Sequence, residues 1–259
     1  MNKEEIKTIM DVEGYTSLKE GLFLYSLAGT LINSPVMVEI GSWKGRSTIW
    51  LASGLRDGTG SGRVVAVDHG VGDSDAGIQQ TAEIFSANIK KSNVAEMITT
   101  IFKKSEEAIS NWSDPVDMLF IDGAHDYENV KRDFAWEEFL KDGGWLVMHD
   151  VLNPAEGPAR MFLERVIKTN GFKNFGTVDS ILFAQKGEGL KRYDLRKTII
   201  GILLRFCLIL TKVNKKLPKN GLPKKIVRIL MKDIVRGLIT KVANFKLVGF
   251  DKIKTELTQ

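Results

Sequence analysis

The chain has 259 residues, 43% of them hydrophobic and 27% charged, the composition of an ordinary globular protein with room for one sizeable domain and something appended. Its single cysteine, Cys207, excludes an internal disulfide framework and any cysteine-based metal cluster and points to a reducing compartment. The net charge of +5 hides a division: residues 191–259 hold 18 Lys and Arg against 4 Asp and Glu (+14), and the 190 residues before them hold 19 against 28 (−9). An acidic globular domain with a basic tail is the expected organisation.

Met1–Glu5 offers no apolar signal segment, so the expected location is the cytoplasm. Residues 1–16 are polar and without a readable period. Ser17-Leu18-Lys19-Glu20 has capping-box form, and the apolar residues after it predict a helix. Val36–Ile40 reads as a first strand, leading through Gly41-Ser42-Trp43-Lys44-Gly45 into a helix over about 46–55. Two glycines at a strand-to-helix turn let backbone N–H groups approach a ligand at the helix N-terminus. The P-loop pattern is absent, and so is Gly-x-Gly-x-x-Gly. Glu39, at the strand end, would repel a pyrophosphate but attract an ammonium or a sulfonium.

Arg63–Asp68 reads as a buried parallel strand ending in an acid, the position at which nucleotide-binding α/β proteins hold ribose hydroxyls. Residues 69–77 are expected as a mobile loop, followed by a helix over 78–92 and strands over 97–102 and 116–122. Tyr127–Leu140 reads as a helix, Gly143-Gly144 as a turn, Trp145–Met148 as a strand ending in His149-Asp150, and 154–169 as a helix. Residues 172–178 and 181–186 form an expected hairpin around Asp179-Ser180. The expected fold is α/β: a Rossmann-like, doubly wound, seven-stranded, mostly parallel sheet with a C-terminal antiparallel hairpin strand and a helical C-terminal extension. The expected boundary divides residues 1–188 from 189–259.

In the tail, Ile199–Leu210 is apolar but too short to span a bilayer and contains Arg205. Over 224–245, Ile226, Leu230, Ile234, Leu238 and Val242 recur at spacing four beside Arg228, Lys232 and Arg236, the pattern of an interfacial amphipathic helix. An anionic membrane surface, on the inner face of the membrane, or a homo-oligomer interface is the expected partner of 191–259. Nucleic acid is disfavoured, because no aromatics interleave the basic residues.

Glu39-x-Gly41-x3-Gly45-x-Ser47, Ile121-Asp122-Gly123-Ala124-His125-Asp126-Tyr127 and Gly143-Gly144-Trp145-Leu146-Val147-Met148-His149-Asp150 occur in the order found in class I S-adenosylmethionine (SAM)-dependent methyltransferases. Over about residues 15–186 the chain resembles the small bacterial branch related to cephalosporin hydroxylase, macrocin O-methyltransferase and catechol-type O-methyltransferases. The resemblance implies SAM as cofactor, held by Glu39, Gly41, Ser42, Trp43, Gly45, Ser47, Asp68, Ser105 and Asp122, with Ser105 and Glu106 near the adenine. It implies methylation of a hydroxyl on a small molecule, sugar or glycan. His125 is the expected general base, with Asp122 beside it in catalysis. Asp122 and Asp150 are the expected ligands of Mg²⁺ or another divalent cation. Catechol-type relatives carry a further Asn or Asp where this chain has Val151. Two alternatives are a nicotinamide-dependent oxidoreductase on a similar sheet and a non-catalytic SAM-binding membrane adaptor.

Overall fold

A computed structural model describes residues 1–74, 77–153, 156–188, 195–218 and 222–243. They form two compact units, Met1–Asp122 and Gly123–Phe245.

In the first unit, β1 (Val36–Ile40), β2 (Arg63–Asp68), β5 (Ile98–Phe102) and β6 (Val116–Ile121) are parallel. Central strands covered on both faces must be apolar throughout, and Val38, Val64–Val67 and Met118–Phe120 are almost fully buried. α1 (Lys3–Asp11) and α2 (Leu18–Ala28) precede β1, and α3 (Arg46–Gly58), α4 (Ala82–Lys91) and α5 (Ser105–Ile109) lie between the strands in the chain. The capping box read at Ser17 is formed: Ser17 Oγ accepts from Glu20 N–H, and a Glu20 carboxylate oxygen accepts from Ser17 N–H. Asn2 and Glu5 make a second one at α1, a helix that the polar N-terminal stretch does not announce. Arg46 anchors the end of α1 and the segment leading to α2, donating to the carbonyls of Met10, Val12, Gly14 and Thr16.

One expectation changes in this unit. Part of the segment read as a mobile loop is paired: β3 (Val71–Ser74) and β4 (Gly77–Gln80) run antiparallel. The hairpin's base is closed by Thr81 and Ala82 N–H groups donating to the Gly70 carbonyl, so the helix expected from 78 begins at Ala82.

The second unit opens with α6 (Tyr127–Phe134), which tightens into a 3-10 turn over Ala135–Phe139 instead of continuing to Leu140. β7 (Leu140–Met148) incorporates Gly143-Gly144, the expected turn, into an early strand, with Gly143 at φ 84°. α7 (Glu156–Met161) passes into a π-turn at Phe162–Ile167. β8 (Phe172–Val178) and β9 (Ile181–Lys186) make the expected hairpin, and β9 pairs antiparallel with β7. A Cβ on Gly176 would fall 2.0 Å from Phe183 Cζ, so the phenyl ring occupies the space a side chain would need there. α8 (Leu195–Lys216), α9 (Leu222–Ile229), a π-turn at Leu230–Val235 and α10 (Arg236–Ala243) complete the unit. No helix among the described residues is long and apolar enough to cross a membrane.

The seven long strands are ordered β5-β2-β1-β6-β7-β9-β8, the doubly wound sheet with an antiparallel hairpin at its end that the alternating pattern predicts. Strand order reverses direction at β1, which carries Glu39 and leads into Gly41; in open α/β sheets ligands bind beyond the carboxyl ends of strands at this switch.

Packing of α2 on α3 depends on Gly54. A Cβ there would lie 2.3 Å from the Tyr25 carbonyl oxygen and 2.8 Å from Ala28 Cβ, a clash with backbone that no rotamer relieves. Gly54→Ala is expected to lower stability by about 1–3 kcal/mol, measured by urea unfolding.

Candidate functional site

The chain leaves β1 through a turn that few sequences can make. Gly41, Trp43 and Gly45 adopt φ of 90°, 44° and 93°, a left-handed region costly for any residue with a Cβ. Trp43 is held there from two sides. Its N–H donates to Asp68 Oδ2 at 2.8 Å, and its ring stacks on Tyr15 with centroids 5.1 Å apart. Lys44 Nζ stands 4.4 Å from the Trp43 ring centroid and pairs with Glu13 at 2.6 Å. Asp68 Oδ1 accepts from Gly70 N–H at 2.7 Å, so this one carboxylate ties the β2 tip to the turn after β1.

Beneath the turn, Glu39 is fully buried. Thr48 Oγ1 donates to its Oε2, whereas Oε1 has no hydrogen-bond partner among the described residues. Ser42 Oγ and Trp43 Nε1 are likewise buried and make no hydrogen bond of ordinary geometry among the described residues, although the Ser42 hydroxyl stands near enough to Glu39 to act on its charge. Three such atoms within five residues are far from the rule for a folded interior. Burial pushes the Glu39 carboxyl up to about 7; the hydroxyls of Ser47, Thr48 and Ser42 oppose the rise, and the Asp122 charge adds to it. Asp122 donates its N–H to the Ile40 carbonyl at 2.8 Å, at the end of β6 beside β1. Ser105 is buried at the first position of α5.

The structure thus gathers Glu39, Gly41, Ser42, Trp43, Gly45, Ser47, Asp68 and Asp122 around one end of the first unit's sheet. The donor set fits a ligand with a cationic head and vicinal hydroxyls: an unpartnered carboxylate oxygen, a second carboxylate at the neighbouring strand tip, and backbone kept open by glycines. A separate cleft of about 500 Å³ between α1, α3 and α4 is lined by Asn2, Thr8, Ser53 and Arg56 and does not include these residues.

In the second unit, His125 Nε2 lies 2.9 Å from Asp150 Oδ2; the imidazole is half exposed and the carboxylate mostly covered. His149 is buried between Asp150 Oδ1, 3.4 Å from its Nδ1, and Ser180 Oγ, 3.1 Å from its Nε2. Asn153 Nδ2 donates to Asp150 Oδ1. Burial pushes the Asp150 carboxyl up, but hydrogen bonds from His125 and His149 and their charges outweigh it and hold the group well below the usual carboxylate range. Asp150 sits at φ 55°, a conformation Asp tolerates better than most side chains.

Asp122 and Asp150, the expected metal ligands, belong to different units. Around Asp150 the donors are two imidazoles and an amide, both carboxylate oxygens are hydrogen-bonded, and Val151 is buried and offers no ligand. This does not make the oxygen shell of Mg²⁺; it suits a softer divalent ion. Asn153, Ser180, Arg46 and Tyr15 were not singled out by the sequence. Arg46, between Gly45 and Ser47, and Asn153, three residues after Asp150, lie close enough in the chain to have been suspected.

Residues 38–151 match the family described as a methyltransferase domain. Over 135 residues the chain is 30% identical to a catechol O-methyltransferase of Mycobacterium tuberculosis, covering 52% of this chain and 55% of that relative, so it spans about half the length of the curated relative it matches. Among solved structures it is similar to an O-methyltransferase from Bacillus cereus in complex with SAH, at 23% identity and a TM-score of 0.53 over 71% of this chain and 91% of that one. It is also similar to the O-methyltransferase TomG from Streptomyces achromogenes, at 20% identity and a TM-score of 0.52 over 71% and 88%. The fold is the Rossmann-like fold of these O-methyltransferase structures. The resemblance carried by the three motifs holds in the family match over residues 38–151.

Glu39 makes a measurable pH signature. Its folded-state value, about 7, lies above the ordinary 4.5, so the folded protein binds this proton more tightly than the unfolded chain. The contribution to stability is therefore full below about pH 4.5 and is lost as pH rises through about 7. Glu39→Gln removes that titration. In urea unfolding of the ligand-free protein, the variant is expected to gain on wild type by about 3 kcal/mol between about pH 4.5 and pH 8.

Proposed function

We propose that the protein is a SAM-dependent methyltransferase acting on a hydroxyl of a small-molecule acceptor, a sugar, glycan or natural product. The observation that carries the reading is the cluster of unpartnered buried polar atoms, Glu39 Oε1, Ser42 Oγ and Trp43 Nε1, at a left-handed glycine turn. A cationic amino-acid head with hydrogen-bond donors and acceptors would satisfy them. Asp68 is assigned to the ribose hydroxyls, with a lone pair left on each oxygen beyond the two backbone N–H groups it accepts. Ser105 is assigned to the adenine end.

When bound, SAM supplies an electrophilic methyl group whose sulfur takes the bonding pair as the new C–O bond forms. The protein's own task is to align the acceptor and remove its proton. His125 is assigned that step. With Nε2–H donated to Asp150, Nδ1 keeps the lone pair that accepts the hydroxyl proton, and the Asp150 carboxylate stabilises the resulting imidazolium. Asp122 is assigned to the cofactor and to catalysis beside it. At Asp150, the imidazoles of His125 and His149 beside the carboxylate support a softer divalent ion in place of Mg²⁺. Residues 189–259 are read as an appended module that docks the enzyme on the inner face of an anionic membrane.

Isothermal titration with SAM is expected to show saturable binding by wild type, weakened about tenfold or more by Asp68→Ala; absence of binding by wild type overturns the reading. SAM affinity is also expected to rise with pH through about 7 as Glu39 ionises, and to lose that dependence in Glu39→Gln. With a panel of catechol and glycoside acceptors, His125→Ala should lower kcat by about a hundredfold or more while SAM affinity stays within error of wild type.

A further inference from the structure

Ten of the fifteen exposed large apolar side chains among the described residues lie on α8, α9, the following π-turn and α10. On α8 they form a line. Ile200, Leu204, Cys207 and Thr211 are buried within the second unit, while Ile202, Phe206, Ile209 and Val213 face outward. Steps of four, three and four residues hold those four on one side of a helix about 33 Å long. Ile202 and Ile209 are each 58% exposed.

The charges beside this line have one sign. α8 contains no Asp or Glu in its 22 residues, and Arg205, Lys212 and Lys216 are exposed. By helical rotation all three fall on the same flank of the apolar line, within about 100° of it. Long basic side chains beside a row of Ile and Phe can extend their charged ends to headgroup depth while the apolar row enters the acyl boundary. A protein partner would need a continuous acidic surface with an apolar centre; an anionic bilayer presents both layers over any length. Nor can the helix do more than lie in the interface, since it is not apolar enough to cross.

The second helical run shows the same division. Leu222, Ile226, Ile229, Ile234 and Leu238 are exposed, and Val227, Met231, Val235 and Ile239 are buried. The one step of five, from Ile229 to Ile234, spans the π-turn at Leu230–Val235, whose wider winding keeps Ile234 on the outer side.

We propose that the outward line Ile202, Phe206, Ile209 and Val213 of α8, flanked by Arg205, Lys212 and Lys216, is a docking face for a bilayer surface carrying anionic headgroups. The inference rests on the membrane-docking reading of the tail and names the face that performs it; it is independent of the cofactor assignment.

The test is cosedimentation of the full chain with vesicles of phosphatidylcholine alone and of phosphatidylcholine with about one third phosphatidylglycerol. Wild type should bind the anionic vesicles and not the neutral ones, with binding falling as salt is raised. Arg205→Glu/Lys212→Glu/Lys216→Glu should lower binding at least a hundredfold, and Ile202→Gln/Phe206→Gln should abolish it, both with SAM affinity and urea midpoint unchanged. If wild type binds anionic vesicles and both variants bind equally well, the tail docks but this face is not the one, and the proposal falls. If wild type binds no vesicle, the membrane reading itself falls. Should light scattering then show a dimer that Ile202→Gln/Phe206→Gln converts to monomer, the face is an interface between copies of this chain.

Discussion

A single carboxylate fixes the turn on which the candidate cofactor site depends. Between Gly41 and Gly45 the backbone passes three times through the left-handed region, once at a tryptophan. That conformation is uphill for Trp43 and persists because something outside the turn over-determines it. Asp68 does so by accepting the Trp43 N–H, from the tip of the next strand, while its other oxygen accepts Gly70 N–H. Two strand tips and the base of the β3–β4 hairpin are thereby referenced to one side chain. Register between β1 and β2, set by Val38 opposite Val65, is what delivers Asp68 to that place.

The same turn organises the N-terminal segment. Tyr15 stacks on Trp43, Glu13 pairs with Lys44, and Arg46 in the first turn of α3 collects four carbonyls between Met10 and Thr16. Arg46 also meets the carbonyls that the end of α1 leaves without an intrahelical donor. Residues 1–16 carry no apolar period because most of what orders them is polar and distant in the chain. A charge-assisted hydrogen bond to a main-chain carbonyl leaves no mark on the identity of the residue that owns the carbonyl. The marks that α1 does leave in the sequence are local: Asn2 and Glu5 three residues apart, and Ile6 and Ile9, which the helix buries.

What was legible in the chain is what has a short period or a fixed offset. Strand ends were legible at Glu39, Asp68, Asp122 and Asp150 because buried parallel strands are apolar runs and a carboxylate marks where they stop. The box at Ser17 was legible because its two partners stand three residues apart. The hairpin over 71–80 was not: three glycines and two aspartates resemble a loop, and the pairing is settled by closure on the Gly70 carbonyl. Around Asp150, the acid and both histidines were read from the sequence, but their arrangement was not. That His125 meets one oxygen while Asn153 and His149 meet the other results from the left-handed backbone at Asp150, which redirects the chain just after β7.

The tail shows how a pattern at spacing four depends on the local winding of the helix that carries it. Ile226, Leu230, Ile234, Leu238 and Val242 recur every four residues, and in a regular α-helix four such steps would carry the last about 160° around the axis from the first. The run is not regular. Leu230–Val235 is a π-turn, which takes more residues per turn and so returns part of that rotation. Ile226, Ile234 and Leu238 consequently stay together and face outward, as an interfacial helix requires, while the ridge one residue on, from Val227 through Met231 and Val235 to Ile239, is buried. Both ridges at spacing four are kept in phase by one local widening of the helix. The chain thus packs one apolar face and leaves a second exposed, which a regular helix with this sequence could not do over the same length.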